Sequence, residues 1–160
     1  MGEFQMSSKF TIVTRAVIGV AALAGVSAAF AASPADVVTA RQHDLKGIGG
    51  HTKAIFDELK KPTPAVDVIR THAHAIALEA PKLPGWFPAG TGPQAGIKTH
   101  ALPAIWSQPA DFRKAADNFA AQSKALDAAA ATGDLAKIKP AAGQLGGACK
   151  QCHDTFREKQ

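Results

Sequence analysis

A chain of 160 residues has room for one domain and a processed leader. With 46% hydrophobic residues, 19% charged residues and a net charge of +5, it can bury a core and is no disordered tail. Tyr is absent, Phe and Trp number 8 and 2, and Ala is very frequent, which argues for helices and against an all-β fold.

The positive charge does not mark a nucleic-acid footprint. Lys and Arg are spread along the chain with no run longer than Lys60-Lys61, whereas such a footprint clusters on one face. The charges read as a solvated surface.

At the N-terminus, residues 1–5 read as a cloning remnant and Met6 as the natural start. Lys9 and Arg15 precede an uncharged stretch from Ala16 to Ala32, and Ala29-Phe30-Ala31 is a small-x-small cleavage site. This is the pattern of a secretory signal peptide over residues 6–31, exporting a domain of residues 32–160. The uncharged stretch is heavy in Ala and Gly and marginal for a stable membrane span.

Four amphipathic segments follow. Ser33-Pro34-Ala35-Asp36 is a helix start, with a cap, a proline at the first position and an acid three residues after the cap. Val38, Arg41, Leu45, Ile48, Thr52, Ile55 and Leu59 then fall on one seam, and Pro62 ends the helix. Thr63-Pro64 is expected to start the second helix, with Val66, Ile69, Ala73, Ile76 and Ala80 inward and Pro81 as the stop. Residues 81–106, rich in Pro and Gly, read as a long loop. The third helix begins near Ser107-Gln108-Pro109, turns Phe112, Ala116, Phe119, Ser123, Leu126 and Ala130 inward, and ends at Gly133. Asp134 can cap the fourth, whose seam is Leu135, Ile138, Ala142, Leu145, Cys149, Cys152 and Phe156. Pro140 lies inside that pattern and should kink the helix or delay its start. Seams of this spacing predict an all-α, antiparallel four-helix bundle.

The chemistry sits near the C-terminus. Cys149-Lys150-Gln151-Cys152-His153 is C-x-x-C-H, the attachment signature of a c-type haem. Two thiols add across the two porphyrin vinyl groups, and the adjacent imidazole is the proximal iron ligand. A zinc site would need a second ligand pair. A thioredoxin-like dithiol would stand in a βαβ context, and a disulfide across two residues inside a helix would be strained. One motif implies one covalently attached haem c, with His153 as the axial metal ligand.

With this motif in place the chain resembles the cytochromes c′, four-helix c-type cytochromes of bacterial periplasms. The resemblance is carried by Arg41-Gln42-His43-Asp44-Leu45, by Pro103-Ala104-Ile105-Trp106, and by the segment from Cys149 to Arg157, after which only Glu158-Lys159-Gln160 remain. It implies that Leu45 sits over the open face of the haem, and that Arg41 and Gln42 contact a propionate or the haem edge. Arg157 would lie beside the proximal histidine, and Trp86, Phe87 and Thr91 near the haem rim. The family commonly dimerises through the first two helices. It offers two roles, nitric oxide binding and electron transfer.

The sixth iron position can be narrowed from composition. The low-spin relatives fill it with a Met on the first helix, but both methionines here, Met1 and Met6, precede the mature chain. His43, His51, His72, His74, His100 and the lysines are left. Leu45 is on the core seam, and His43, two residues earlier, points away from it. The expected site is therefore a five-coordinate iron beneath Leu45, taking small gases such as NO and CO. The competing expectation is a six-coordinate, histidine-ligated electron carrier. A peroxidase-like enzyme would need a distal acid/base pair, and none is evident. The redox partner is not specified by the sequence. Gly47, Gly49 and Gly50 in the first helix fit either close approach of a porphyrin or helix, or simple tolerance in a long packed helix.

Overall fold

The computed structural model describes Met1, residues 32–93 and residues 96–159. The leader expected over residues 6–31 lies outside the described residues, apart from its cleavage flank at Ala32. The compact unit Ala31–Gln160 holds, among the described residues, five α-helices. Four are long, and the family described below shares their bundle.

Helix α1 (Pro34–Leu59) starts as its sequence dictates. The Asp36 amide donates to Ser33 Oγ at 3.2 Å and the Ser33 amide donates to Asp36 Oδ2 at 3.2 Å, a reciprocal capping box. Its core face is Val38, Arg41, Ile48 and Ile55, with Leu45, Thr52 and Leu59 only half-buried. Glu58, absent from the expected seam, is buried.

Helix α2 (Val66–Glu79) begins later than Thr63-Pro64 suggested, with Ala65 as its cap residue and no side-chain cap of its own. The Glu58 carboxylate takes that place. It accepts from the Ala65 amide at 2.7 Å and from Lys61 Nζ at 2.5 Å, which ties the end of α1 to the start of α2. Both partners hold the carboxyl below the usual glutamate range, Lys61 most strongly.

The expected long loop is partly helical. Pro81 does not stop the chain turning: α2 runs on into a 3₁₀ segment over Ala80–Trp86 that contains Pro84 and buries Ala80 and Leu83. A 3₁₀ turn accommodates prolines because few amide donors are needed over so short a run. A four-residue helix, α3 (Ala104–Ser107), comes next, and α4 (Pro109–Thr132) then starts on its proline without a side-chain cap. Phe112, Ala116, Phe119, Ser123, Leu126 and Ala130 are all buried, matching the expected seam. Gly133, at φ +75°, ends α4 in the left-handed region where a residue with a Cβ is disfavoured.

Helix α5 (Leu135–Phe156) is capped by Asp134, which accepts from the Ala136 amide at 2.8 Å. Pro140 does not delay it. The residue is exposed and lies early in the helix, where one missing amide donor leaves only the Ala136 carbonyl without its bond. Ile138, Ala142, Leu145 and Ala148 face the core. Helix α4 packs along α5 and α2, and α2 along α1, while α1 and α5 touch sparsely. One point where they meet is Gly146, where a Cβ would come within 3.3 Å of Phe56 Cζ. No helix among the described residues is long and apolar enough to cross a membrane.

Candidate haem site

Helix α5 carries the donor set. The core face that buries Leu145 and Ala148 continues into Cys149 and Cys152, which are half-buried against the hydrophobic core. Both cysteines are free thiols, three residues apart and thus neighbours on one side of the helix. Burial pushes the Cys149 thiol up, and burial reinforced by Cys149 pushes Cys152 up to about 11. A redox dithiol lowers a thiol pKa to make a ready thiolate, so the environment here is the opposite of a thioredoxin-type site. Among the described residues no cluster of three or more His, Cys, Asp and Glu side chains could hold a metal ion.

His153 is one turn beyond Cys149 and stands at the surface. Partial burial and the nearby Arg157 cation hold its imidazole below the ordinary value, favouring the neutral form that ligates iron. Arg157 caps α5 through its amide, which donates to the His153 carbonyl at 3.2 Å. It also pairs with Ala101, the Leu102 amide donating to Phe156 O at 3.0 Å and the Glu158 amide to His100 O at 2.8 Å. The returning loop is thereby tied across the end of the motif helix. His153, Asp154, Arg157, Glu158 and Lys159 line an open cleft of about 190 Å³ there.

The α1 residues form a second group. Arg41 is only 2% exposed. Its guanidinium donates to Trp86 O at 3.3 Å, Thr91 Oγ1 at 3.0 Å, Thr91 O at 3.0 Å and Thr99 Oγ1 at 3.2 Å. Four of the five N–H donors that an arginine carries are thus directed at the loop. Its flat face lies 4.4 Å from the Phe87 ring centre and 5.9 Å from that of Trp106. Burial draws its pKa downward. Gln42 donates to Lys98 O at 3.1 Å, extending the clamp. Leu45, one turn on from Arg41, packs half-buried on the core.

Arg41, Gln42 and Thr91 therefore share the loop, while Cys149, Cys152, His153 and Arg157 share the end of α5. Aromatic contacts join the two groups: Phe87 packs on Phe112 at 5.0 Å and Phe112 on Phe156 at 5.3 Å, both edge to face. Trp106 fixes the turn by donating from Nε1 to Phe87 O at 3.1 Å and Pro88 O at 3.0 Å. Thr99, an anchor of Arg41, escaped sequence reasoning because a lone threonine in a loop carries no periodic or spacing signal.

The remaining histidines all have partners. His43 pairs with Asp44, His51 with His72, His74 with Asp127 and His100 with Glu158. Added Cβ atoms at Gly47, Gly49 and Gly50 would meet nothing within 4 Å, so no other helix of this chain requires these glycines.

Two unpaired thiols and a neutral imidazole on one turn, against an apolar wall and beside a sparsely packed α1–α5 seam, suit the thioether and axial bonds of a haem. A four-helix bundle with this donor set on its last helix defines a class: c-type haem proteins whose attachment motif is C-terminal. The family model described as Cytochrome C' matches residues 36–157, and the chain belongs to the cytochrome c′ family, which binds haem c. It is 43% identical over 128 residues to the cytochrome c′ of Pararhodospirillum photometricum, covering 79% of this chain and 100% of that relative. A nitric oxide complex of a cytochrome c prime variant from Alcaligenes xylosoxidans superposes with a TM-score of 0.72 at 30% identity, over 80% of this chain and 98% of that one. A cytochrome c′ with an unusual ligand-controlled dimer dissociation gives a TM-score of 0.74 at 28% identity, over 81% of this chain and 99% of that one.

Proposed function

We propose that this protein is a periplasmic gas-binding haem protein with a five-coordinate iron. Residues 6–31 are its signal peptide and residues 32–160 its haem domain. Cys149 and Cys152 would hold one haem through thioether bonds and His153 would ligate its iron; the group would supply a binding position for a small neutral ligand. The observation that carries the reading is that every other histidine of the mature chain is engaged by another side chain, and the chain has no methionine there.

Leu45 guards the open face. An apolar side chain offers water and anions no hydrogen bond in exchange for their hydration, whereas NO and CO lose little on entering. Arg41 and Gln42 hold the loop carrying Trp86, Phe87 and Thr91 at the haem edge, and the one donor Arg41 does not spend on the loop, its Nε–H, is the group left for a propionate. Arg157 sits beside His153 on the proximal side. The protein binds rather than turns over its ligand, because the acid/base pair next to Leu45 in sequence, His43 and Asp44, has its imidazole out in solvent, off the core seam. The nitric oxide complex of the Alcaligenes relative supports gas binding, and the relative with ligand-controlled dissociation supports a homodimer, here through α1 and α2.

The test is the ferrous absorption spectrum with and without carbon monoxide. A high-spin spectrum that converts directly on CO addition is expected. A low-spin spectrum with sharp α and β bands, and CO binding limited by release of a protein ligand, would establish the six-coordinate electron carrier instead.

A further inference from the structure

Helices α1 and α2 meet through two imidazoles. His51 Nδ1 and His72 Nδ1 are 2.9 Å apart, with ring centres 5.1 Å apart and planes inclined at 43°. Both side chains are half-buried, and neither has an acidic partner. The hydrogen bond requires one Nδ1 to donate and the other to accept. The two nitrogens face each other, and a tetrahedral metal with Zn–N bonds of about 2.0–2.1 Å would need them only a few tenths of an ångström further apart, with both rings turned toward the ion.

The space beside the pair is open. Helical side chains lean toward the N-terminus, so the His51 ring lies over the turn that contains Gly47. Gly47 has no side chain, and a Cβ there would meet nothing within 4 Å. On α2 the residue one turn before His72 is Val68, which is 40% exposed. Within one chain, that side of the pair is therefore left unfilled by protein.

From this geometry we propose that His51 and His72 form a two-imidazole chelate for a borderline divalent transition-metal ion, zinc or copper(II), bridging α1 and α2. Imidazole nitrogen suits these ions better than magnesium or calcium, which prefer oxygen. The metal takes both Nδ1 lone pairs. The proton of the donating Nδ1 moves to the Nε2 of its own ring, so both rings stay neutral and no net proton is released. Two coordination positions remain for water. The site is separate from the haem motif on α5, and its occupancy does not depend on how the iron is ligated.

Isothermal titration of the purified holoprotein with zinc sulfate at neutral pH tests this, with ¹⁵N spectra of the histidines as a second readout. One zinc per chain is expected, with shifts at the Nδ1 of both His51 and His72. His51→Gln and His72→Gln should each weaken binding at least tenfold, because a chelate becomes a single ligand, while the haem spectrum stays as in the wild type. The two substitutions lie on different helices, so either one decides the matter if the other fails to fold. Absence of saturable zinc binding would overturn the proposal. So would binding that survives both substitutions, or resonance shifts confined to His43, His74 or His100.

Discussion

The guanidinium of Arg41 lies 4.4 Å over the ring of Phe87, and that contact joins the first helix to the aromatic run ending at Phe156 on the motif helix. Arg41 is a charge on an apolar seam, and such a charge persists only where its donors are satisfied. Here hydrogen bonds to Trp86, Thr91 and Thr99 satisfy them.

Removing this clamp should be costly. Arg41→Ala is expected to destabilise the holoprotein by about 2–4 kcal/mol, since it strands buried acceptors and empties the space beneath Phe87. Arg41→Lys should recover little, because an ammonium cannot reproduce the fork of donors. Denaturant midpoints measure the loss. A shifted reduction potential in the same variants would tie Arg41 to a propionate, and an unchanged potential would confine it to the loop.

Leu45→Ala should speed ligand binding. The proposed lid is a half-buried side chain on a long helix, so its truncation should open the path without unfolding α1. Stopped-flow mixing of the ferrous protein with carbon monoxide should show a faster association rate than the wild type. Equal rates would place the barrier elsewhere.

Haem retention should follow the two thiols. The intact mass of periplasmically expressed protein should exceed the processed polypeptide by one haem, and acid-acetone should fail to extract it. Replacing both Cys149 and Cys152 by Ala should make the haem extractable.

Neighbouring glycines on α5 should respond oppositely. At Gly147 a Cβ meets nothing within 4 Å, so Gly147→Ala should stabilise by about 0.5–1 kcal/mol through helix propensity. At Gly146 it comes within 3.3 Å of Phe56 Cζ, and the larger Gly146→Val should cost about 1–3 kcal/mol by forcing α1 away. Thermal unfolding of the pair separates the two effects.

Acid should weaken the link between α1 and α2. The folded-state pKa of Glu58 is lowered, chiefly by Lys61 and then by the Ala65 amide. Its contribution is therefore present above the ordinary glutamate range and is lost as pH falls through the lowered value. Glu58→Gln should unfold several degrees below the wild type at neutral pH, with the gap closing in acid.

Local signals were enough for much of this molecule. The capping box at Ser33 and Asp36, the buried stripe from Phe112 to Ala130, the stop at Gly133 and the cap at Asp134 are all short-range patterns of hydrogen bonding or periodicity, and the structure contains each of them. The C-x-x-C-H spacing of Cys149, Cys152 and His153, which the proposed function gives to the haem, is a short-range pattern of the same kind, and the structure sets all three near the end of α5. Other features depend on residues far apart in sequence. The start of α2 is set by Glu58 rather than by Thr63, and the 3₁₀ turn at Ala80–Trp86 survives its prolines because Leu83 finds a place in the core. Thr99 becomes an anchor because the loop brings it to Arg41, and His51 meets His72 because α2 folds back along α1. Spacing and periodicity record what one helix presents to its surroundings; which side chains meet across helices and loops is decided when the bundle closes.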